Sequence, residues 1–539
     1  MLSLIKKIES STVSVKKIII LFATSIVLRG FFENFTNSNV ATGLTNLTDI
    51  FLHYPLWYVG LFLSIIIILY LFTKQSLLKI ANVVAIGSFG ILIGPLIDIF
   101  VYGFWGHPYN FIQNTYPMLF QHFSTLTFST HAISLGIKIE TVVLIISTGM
   151  YVYLRSNKKR SLKAFFAGFL SYVVIFFFLS LPTHTMSIFT TLSGEYITPT
   201  TEATVLFYTP PNYKINTTED LLVLNKKSPE QQYFSQKISI VFTLIILLSL
   251  MFLLFIKNKN KFIAILKNIR FLRLFNLYAF AAVGIYFGIH ANVYELHSFY
   301  TFLNITALSI SIAMAWLFSV WENDEADVKI DAVSNPERPM VSHVFNKNEW
   351  VWTKSLFLFF ALLFSFLVGE NAFTSILLFI LVYHMYSTKP LRLKKIPIIS
   401  SALVVLSALL IFIAGFLSFN LNENLSELPF RLLLGIFVIY IIVENIKNMK
   451  DIAGDKADKI YTLPVILGNN AGIGMSLLIV VASVFGILYF KFSQPMILIT
   501  TLFVFGMIYF LNKKPYKETP IFVLYFLLLT GLLLASSVL

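Results

Sequence analysis

The feature that most constrains this chain is its succession of apolar runs about twenty residues long. A helix rises about 1.5 Å per residue, so roughly 20 apolar residues cross the hydrocarbon core of a bilayer. Hydrophobic residues make up 57% of the 539 positions and charged residues only 12%, against about 25% charged residues in soluble domains. So few charged residues cannot provide the polar surface that a water-soluble fold needs. The sequence therefore predicts an all-α integral membrane protein.

About fifteen such spans can be counted along the chain. A basic stretch at 257–272 separates the first six from the last nine. It predicts a six-helix membrane module at 1–256 of unknown function, a cytoplasmic connector at 257–272 and a nine-helix domain at 273–539. The long segment 186–236 is predicted to be an external loop. The predicted spans are 17–33, 54–73, 80–104, 139–155, 162–185, 237–256, 273–290, 297–320, 351–368, 371–388, 397–419, 429–447, 471–490, 496–511 and 519–537.

The basic residues fall mainly in alternate loops, as the positive-inside rule requires. Lys and Arg cluster at 155–163, 257–273 and 389–395, whereas the loops at 34–53 and 105–133 contain neither. This pattern predicts a cytoplasmic N-terminus and an external C-terminus, with the cell membrane as the expected location. It also explains the net charge of +14 without a nucleic-acid partner, and none is predicted.

The chemistry must come from oxygen and nitrogen donors, because the chain has no cysteine and therefore no disulfide or thiolate site. Asn323, Asp327 and Asp331 are spaced by four residues, which keeps their side chains on one face of a helix. Such oxygen donors suit Mg²⁺, which takes one or two carboxylates and completes its shell with water and phosphate oxygens. Arg338, shortly after this motif, offers a planar fork for a diphosphate oxygen. Asp324 is expected to point elsewhere.

A second acidic motif follows the sixth span of the C-terminal group. Asp451 and Asp455 repeat the spacing of four, and Asn448 adds a neutral oxygen one turn earlier. Lys447 is expected to reach a phosphate or to balance the carboxylates. The motif thus predicts a second face for a hard cation.

A third segment, 386–395, ends the fourth span of this group and offers a phenol, a hydroxyl and several cations. The predicted topology places it and both acidic motifs on the same side of the membrane. Two acidic clusters that meet across a bundle repel unless divalent cations or a shared ligand bridge them. A diphosphate held by Mg²⁺ and flanked by Lys and Arg would resolve that repulsion. Arg392, Lys394 and Lys395 fit equally well as ordinary positive-inside residues.

Taken in order, these motifs resemble the UbiA-type prenyltransferase superfamily over about 262–539. The resemblance is carried by Asn323, Asp327 and Asp331 with Pro336–Pro339, then Tyr386–Ser387, then Asp451 and Asp455 with Thr462–Pro464. The motifs are most similar to the branch that contains digeranylgeranylglyceryl phosphate synthase and related quinone and chlorophyll enzymes. Asn448 departs from that branch, in which an aspartate is common at this position.

The resemblance implies a nine-helix bundle that transfers a polyprenyl group from an allylic polyprenyl diphosphate to a membrane-associated acceptor, releasing diphosphate. The acceptor class is a lipid, a quinone precursor or a glycerol-phosphate-type compound, and two Mg²⁺ ions are implied. The implied metal ligands are Asn323, Asp327, Asp331, Asn448, Asp451 and Asp455. The implied catalytic residues are Asp327, Asp451, Tyr386 and Lys389. The implied substrate-binding residues are Arg338, Arg392, Lys447, Asn276, Arg273 and Ser387, with Arg273 and Asn276 matching an Arg-x-x-Asn arrangement of the family.

Other functions remain open at this point. The same two motifs would serve a related transferase that moves a phosphorylated pentose onto a polyprenyl phosphate. The whole chain would also fit a transporter of lipid-linked substrates or a catalytically inactive scaffold. Within the first half, Asp98 follows Gly94 and Pro95 inside an apolar run, which predicts a broken helix at an intramembrane charge.

Overall fold

The computed structural model is built from helices throughout the part of the chain that it describes. The predicted all-α class is therefore confirmed. The described residues are 2–11, 14–36, 52–102, 116–128, 133–156, 159–193, 229–291, 299–420, 425–450, 452, 456, 461–514, 516–525 and 527–528. They fall into two compact units, one formed by Met1–Lys257 with His297–Leu303 and the other by Asn258–Leu296 with Asn304–Leu539.

The first unit consists of long apolar helices joined to shorter ones. Two of its helices extend into the predicted external loop, because a helix satisfies its own backbone hydrogen bonds and can continue beyond the apolar core. Residues 186–193 and 229–236 are therefore helical, while residues 194–228 lie outside the described residues and the external position of this segment stays a prediction. The helices are α1 (Leu2–Glu9), α2 (Val15–Thr36), α3 (Tyr54–Thr73), α4 (Leu77–Gly87), α5 (Ile93–Tyr102), α6 (Tyr116–Ser124), α7 (Leu135–Arg155), α8 (Arg160–Ser193) and α9 (Pro229–Lys257).

A break in the third predicted span, 80–104, is stabilised by buried charged side chains. A 3₁₀ turn at Ser88–Leu92 separates α4 from α5, slightly before the position that Gly94 and Pro95 indicate. The buried Arg29 guanidinium donates to the Ile91 carbonyl and pairs with Glu140. Asp98 accepts hydrogen bonds from the Ser134 hydroxyl (2.6 Å) and the Gly136 amide (2.8 Å). These contacts satisfy polar groups that would be costly inside a bilayer.

The second unit begins with the connector helix and continues as a bundle of long helices. Its helices are α10 (Lys259–Lys267), α11 (Phe271–Ala291), α12 (Phe299–Ala326, whose first residues belong to the first unit), α13 (Val328–Ser334), α14 (Lys347–Val368), α15 (Glu370–Ser387), α16 (Pro397–Ser418), α17 (Phe430–Glu444), α18 (Leu463–Leu467), α19 (Ala471–Phe490) and α20 (Gln494–Asn512). Short 3₁₀ turns lie at Leu393–Lys395, Leu425–Glu427, Asn445–Lys450 and Gly468–Asn470.

Close packing fixes the helix ends that carry the polar motifs. The backbones of α11 and α16 approach so closely that a Cβ added at Gly284 would lie 2.1 Å from the Phe412 carbonyl oxygen. Small residues allow such crossings between membrane helices. At the end of α12, the buried Trp321 ring stacks on Trp350 of α14 with centroids 4.9 Å apart. The C-terminal end of α12 is thereby anchored against its neighbour.

Twelve helical stretches among the described residues are long and apolar enough to cross a membrane. The predicted count of fifteen is not confirmed. The predicted spans 17–33 and 371–388 correspond to α2 and α15, which are not among the twelve. Charged or polar residues at their ends lower their mean hydropathy. Most of 519–537 lies outside the described residues. Twelve such helices nevertheless make the chain an integral membrane protein, and its orientation stays a prediction.

Candidate functional site

The second unit encloses a cavity of about 1090 Å³ that joins polar helix ends to the apolar interior of the bundle. Ligand pockets commonly measure about 300–1,000 Å³, so this volume accommodates two small ligands or one long one. Its polar end contains Asn323, Asp327, Asp331 and Arg338. Apolar and aromatic side chains also line the cavity, among them Leu277, Val404, Ala408, Met507, Phe522 and Tyr525.

The first acidic motif crosses a helix junction without losing its helical repeat. Helix α12 ends at Ala326 and α13 begins at Val328, with Asp327 between them. The Asp327 amide still donates to the Asn323 carbonyl, and the Asp331 amide to the Asp327 carbonyl, both at 2.9 Å. The steps of four therefore survive the junction, and all three residues line the cavity. Their role as metal ligands stays a prediction.

Basic residues from the segment after α15 surround the Asp327 carboxylate. Arg392 Nη2 lies 2.9 Å from Asp327 Oδ1, and the Lys394 ammonium pairs with Asp327 Oδ2. Asn323 Oδ1 accepts from Lys394 Nζ (3.2 Å) and from the Ser387 hydroxyl (3.3 Å). Lys394 is only 7% exposed, and Ser387 is fully buried. Carboxylate, amide, hydroxyl and two cations thus converge within one polar cluster.

A second polar cluster lies around Asp324 and Asp331. Asp324 is completely buried and receives Arg270 Nη2 at 2.5 Å and Arg338 Nη1 at 3.2 Å. Arg338 also pairs with the Asp331 carboxylate. Burial raises the pKa of Asp331, and Arg338 opposes that rise. Burial lowers the pKa of Arg270 to about 10, partly offset by Asp324, so this guanidinium stays charged at neutral pH.

The aromatic wall of the cavity is connected to a buried amide. Asn276 Nδ2 donates to the Tyr440 hydroxyl at 2.6 Å, and the Tyr440 ring stacks on Phe280 with centroids 5.5 Å apart. On its other side Tyr440 lies parallel to Tyr525 at 6.4 Å. Asn276 Oδ1 is buried and has no hydrogen-bond partner among the residues that the structure describes. An acceptor atom of this kind fits a ligand or a water that donates to it.

Most of the predicted substrate-binding residues are brought together around this cavity. Asn276, Arg273, Ser387 and Arg338 all line it, and Arg392 reaches it through Asp327. Their individual roles stay predictions.

Of the two predicted catalytic residues at the end of α15, one lies in the cavity and one lies apart from it. Tyr386 is half-buried and lines the cavity. Lys389 is exposed on the following loop and is not among the described residues that line the cavity. Lys394 instead supplies the ammonium group beside Asp327. The catalytic roles of Tyr386 and Lys389 stay predictions.

The second acidic motif is described only in part. Asn448 lies in the 3₁₀ turn Asn445–Lys450, half-buried, and lines the cavity. Lys447 belongs to the same turn, and its side chain lies outside the part of the chain that the structure describes. Asp451 and Asp455 lie outside the described residues. Their assignment as metal ligands stays a prediction.

Sequence reasoning missed three contributors to the polar end of the cavity. Asp324 was expected to point away but forms the buried centre of the arginine cluster. Arg270 lies in the connector, where a positive charge has an ordinary topological explanation. Lys394 was open to the same explanation, although it is buried. Only the position of Asp324 could have been found from the sequence. Its partner Arg338 lies only 14 residues later, and Arg338 was already predicted to bind a diphosphate oxygen.

The donors at the polar end fit a hard divalent cation. Asn323, Asp327 and Asp331 supply one amide and two carboxylate oxygens along a single row, which is the donor chemistry that Mg²⁺ prefers. Within the described residues, no three Asp, Glu or His side chains converge tightly enough to form a complete site. A cation held there would therefore take its remaining ligands from a bound anion, from water or from the second motif.

The bundle and its cavity define an all-helical membrane domain with an acidic and basic polar end and an apolar interior. Residues 273–533 match the UbiA prenyltransferase family. The C-terminal half of the chain is therefore a UbiA-family domain, as its motifs predicted.

Curated relatives share the same half of the chain. Digeranylgeranylglyceryl phosphate synthase of Thermococcus gammatolerans is 29% identical over 147 residues, which cover 27% of this chain and 50% of the relative. The synthase of Sulfolobus acidocaldarius is 29% identical over 200 residues, covering 36% of this chain and 66% of the relative. The chain thus spans about half to two thirds of the length of the curated relatives it matches.

Solved structures similar to this chain include a UbiA homolog from Archaeoglobus fulgidus bound to GPP and Mg²⁺. It is 20% identical, with a TM-score of 0.40, and the match covers 49% of this chain and 94% of that one. An apo UbiA homolog from Aeropyrum pernix is 15% identical, with a TM-score of 0.38 and coverages of 49% and 97%.

Proposed function

We propose that the C-terminal unit catalyses Mg²⁺-dependent transfer of a polyprenyl group from an allylic polyprenyl diphosphate to a glycerol-phosphate-type acceptor, with release of diphosphate. One observation carries the proposal: a single cavity joins the oxygen row Asn323–Asp327–Asp331 and its surrounding cations to a long apolar and aromatic wall. An amphiphile with a diphosphate head and a hydrocarbon tail matches both ends. The family match and the named relatives support the same reaction class.

The basic residues at the polar end would bind the diphosphate. Arg338, Arg392 and Lys394 already converge on the acidic row, and guanidinium groups suit phosphate oxygens through paired N–H donors. Held in a partly buried site, these cations stabilise the negative charge that develops on the departing diphosphate. Mg²⁺ bound to the row would supply Lewis-acid stabilisation of the same charge.

The apolar wall would guide the prenyl chain and protect the allylic cation. Tyr440 and Tyr525 present stacked rings at this wall, and an aromatic face attracts a cation placed over it. Exclusion of bulk water by the apolar lining favours capture of the cation by the acceptor rather than hydrolysis. Asn276 Oδ1, buried beside these rings, is placed to accept a hydrogen bond from an acceptor hydroxyl.

The test uses the full-length chain in detergent or nanodiscs with radiolabelled geranylgeranyl diphosphate and geranylgeranylglyceryl phosphate. We expect labelled ether product and diphosphate release with Mg²⁺, and neither with EDTA. Failure to release diphosphate from any allylic diphosphate in the presence of Mg²⁺ would refute the proposal. Transfer of a labelled pentose phosphate to polyprenyl phosphate would instead identify the related transferase, and EDTA-insensitive movement of labelled lipid between leaflets would identify a transporter.

A further inference from the structure

Arg270 lies at the corner between the connector helix α10 and helix α11, before the start of the family match at residue 273. Its side chain is 20% exposed and lines the cavity. Among the described residues it makes one side-chain hydrogen bond, from Nη2 to Asp324 Oδ1. Since a guanidinium carries five N–H donors, this single bond leaves most of them without a partner among the described residues.

Two arginines converge on one buried oxygen. Arg270 Nη2 lies 2.5 Å and Arg338 Nη1 lies 3.2 Å from Asp324 Oδ1, while Asn268 Nδ2 donates to Asp324 Oδ2 at 2.8 Å. Asp324 therefore fixes both guanidinium groups side by side. Without that carboxylate, like charges at this separation would repel.

The charged cluster around Arg270 contains more guanidinium groups than carboxylates. Arg273 and Arg338 both lie close enough to Arg270 to oppose its protonation. Three guanidinium groups thus face two carboxylates, those of Asp324 and Asp331. An anion with several oxygens would relieve this imbalance, and a phosphate matches the planar fork of arginine.

The backbone conformation of Arg270 indicates that the position of its side chain is constrained. Its φ is +55°, in the left-handed region that non-glycine residues adopt infrequently. Residues held there usually depend on their surroundings to retain the conformation, and they concentrate at functional sites. A second contact also fixes the connector against the bundle: Lys261 Nζ of α10 lies 2.5 Å from Glu349 Oε1 of α14.

We infer that Arg270 is a further phosphate-binding residue of the cavity and that Asp324 is the positioning residue that holds it beside Arg338. The inference rests on the proposed function, and it extends the site into the connector, upstream of the family match. The phosphate oxygens could belong to the diphosphate of the prenyl donor or to the phosphate of the acceptor. Both ligands present the same chemistry to a guanidinium.

Calorimetric titration of the purified full-length chain separates these two sources. One arm uses inorganic diphosphate with Mg²⁺, and the other uses glycerol 1-phosphate. We expect Arg270→Ala to weaken one of them roughly tenfold or more, the usual scale for a lost charge-assisted hydrogen bond, and Arg270→Lys to recover part of the loss. Lys259→Ala is the matched control, because Lys259 is an exposed cation of the same connector that does not line the cavity.

The role of Asp324 is tested through its coupling to Arg270. Asp324→Asn keeps the side-chain volume, and we expect it to weaken binding of the same ligand. In the double variant the two losses should not add, since either change alone disrupts the same pair. If Asp324→Asn does not fold, as thermal unfolding would show, the Arg270 variants still decide the outcome.

The two possible failures give different results. Binding of both ligands to Arg270→Ala within twofold of the unmodified chain would overturn this inference and leave the proposed function standing. An unmodified chain that binds neither ligand and releases no diphosphate from an allylic diphosphate would overturn both. In the transfer assay, an unchanged KM of Arg270→Ala for both substrates would contradict the inference in the same way as unchanged binding.

Discussion

Replacing Asp327 by asparagine would separate two roles of one carboxylate. It holds Arg392 and Lys394 within the fold, and it belongs to the oxygen row that we propose binds Mg²⁺. The side chains of Asp327 and Lys394 are 10% and 8% exposed. Asp327→Asn leaves the Lys394 ammonium with the amide oxygen of Asn323 (3.2 Å). Because removing one partner of a buried ion pair costs about 3–5 kcal/mol, we expect the free energy of unfolding to fall by about 3 kcal/mol.

A second change distinguishes loss of stability from loss of chemistry. In Asp327→Asn/Lys394→Met the stranded charge is also removed, so we expect most of the lost stability to return. We do not expect diphosphate release to return, because the carboxylate that we propose binds Mg²⁺ is still missing. The rate should stay at least about 10²-fold below that of the unmodified chain, the scale found when one electrostatic contributor to a transition state is removed.

The control for both variants is Glu325→Gln. Glu325 belongs to the same acidic motif but is exposed and pairs with Lys354 at 2.6 Å. An exposed pair contributes about 0–1 kcal/mol, so stability and rate should be nearly unchanged. Denaturant unfolding in detergent measures the stability, and release of labelled diphosphate measures the rate. Recovery of the rate together with stability in the double variant would refute the reasoning, since it would make the loss a folding effect.

Three further predictions concern the metal and the packing. Removing divalent cations with EDTA should abolish diphosphate release, and added Mg²⁺ should restore it in the same sample. Gly284→Ala should lower the free energy of unfolding by about 2 kcal/mol, because the new Cβ would lie 2.1 Å from a backbone oxygen. Gly87→Ala is the control: its new Cβ meets nothing within 4 Å, so the same unfolding measurement should show no change. Arg29→Gln should destabilise the first unit by about 3 kcal/mol, and Arg29→Gln/Glu140→Gln should recover much of that loss when both are followed by unfolding of the full chain.

Periodic features were predictable from the sequence. The spacing of Asn323, Asp327 and Asp331 depends only on the helical repeat, and the repeat persists through the junction at Asp327. Most apolar spans were likewise predictable, since their length is set by the bilayer. Helix ends were less predictable. The helices that border 186–236 continue past their apolar runs, because hydropathy indicates which residues lie in lipid and not where the backbone hydrogen bonds of the helix end.

Pairings between distant segments were not predictable. Asn268 and Arg270 meet Asp324 across more than fifty residues, and nothing in the local sequence indicates which acidic side chain of the motif turns toward the connector. The angle between α12 and its neighbours decides this, and that angle is set by the packing of rings such as Trp321 on Trp350. Such packing depends on the complete set of neighbours and not on a repeat.

The adjacent lysines 394 and 395 show why charge counting alone cannot locate a binding site. Both satisfy the positive-inside rule equally well, and both belong to the same 3₁₀ turn. Yet Lys394 is buried against Asp327, whereas Lys395 is exposed. Burying an ammonium group is costly unless a carboxylate compensates it, so the position of Lys394 is explained by the acidic row and not by topology. The same reasoning distinguishes Arg270, which pairs with the buried Asp324 and lines the cavity, from the exposed Lys259 of the connector.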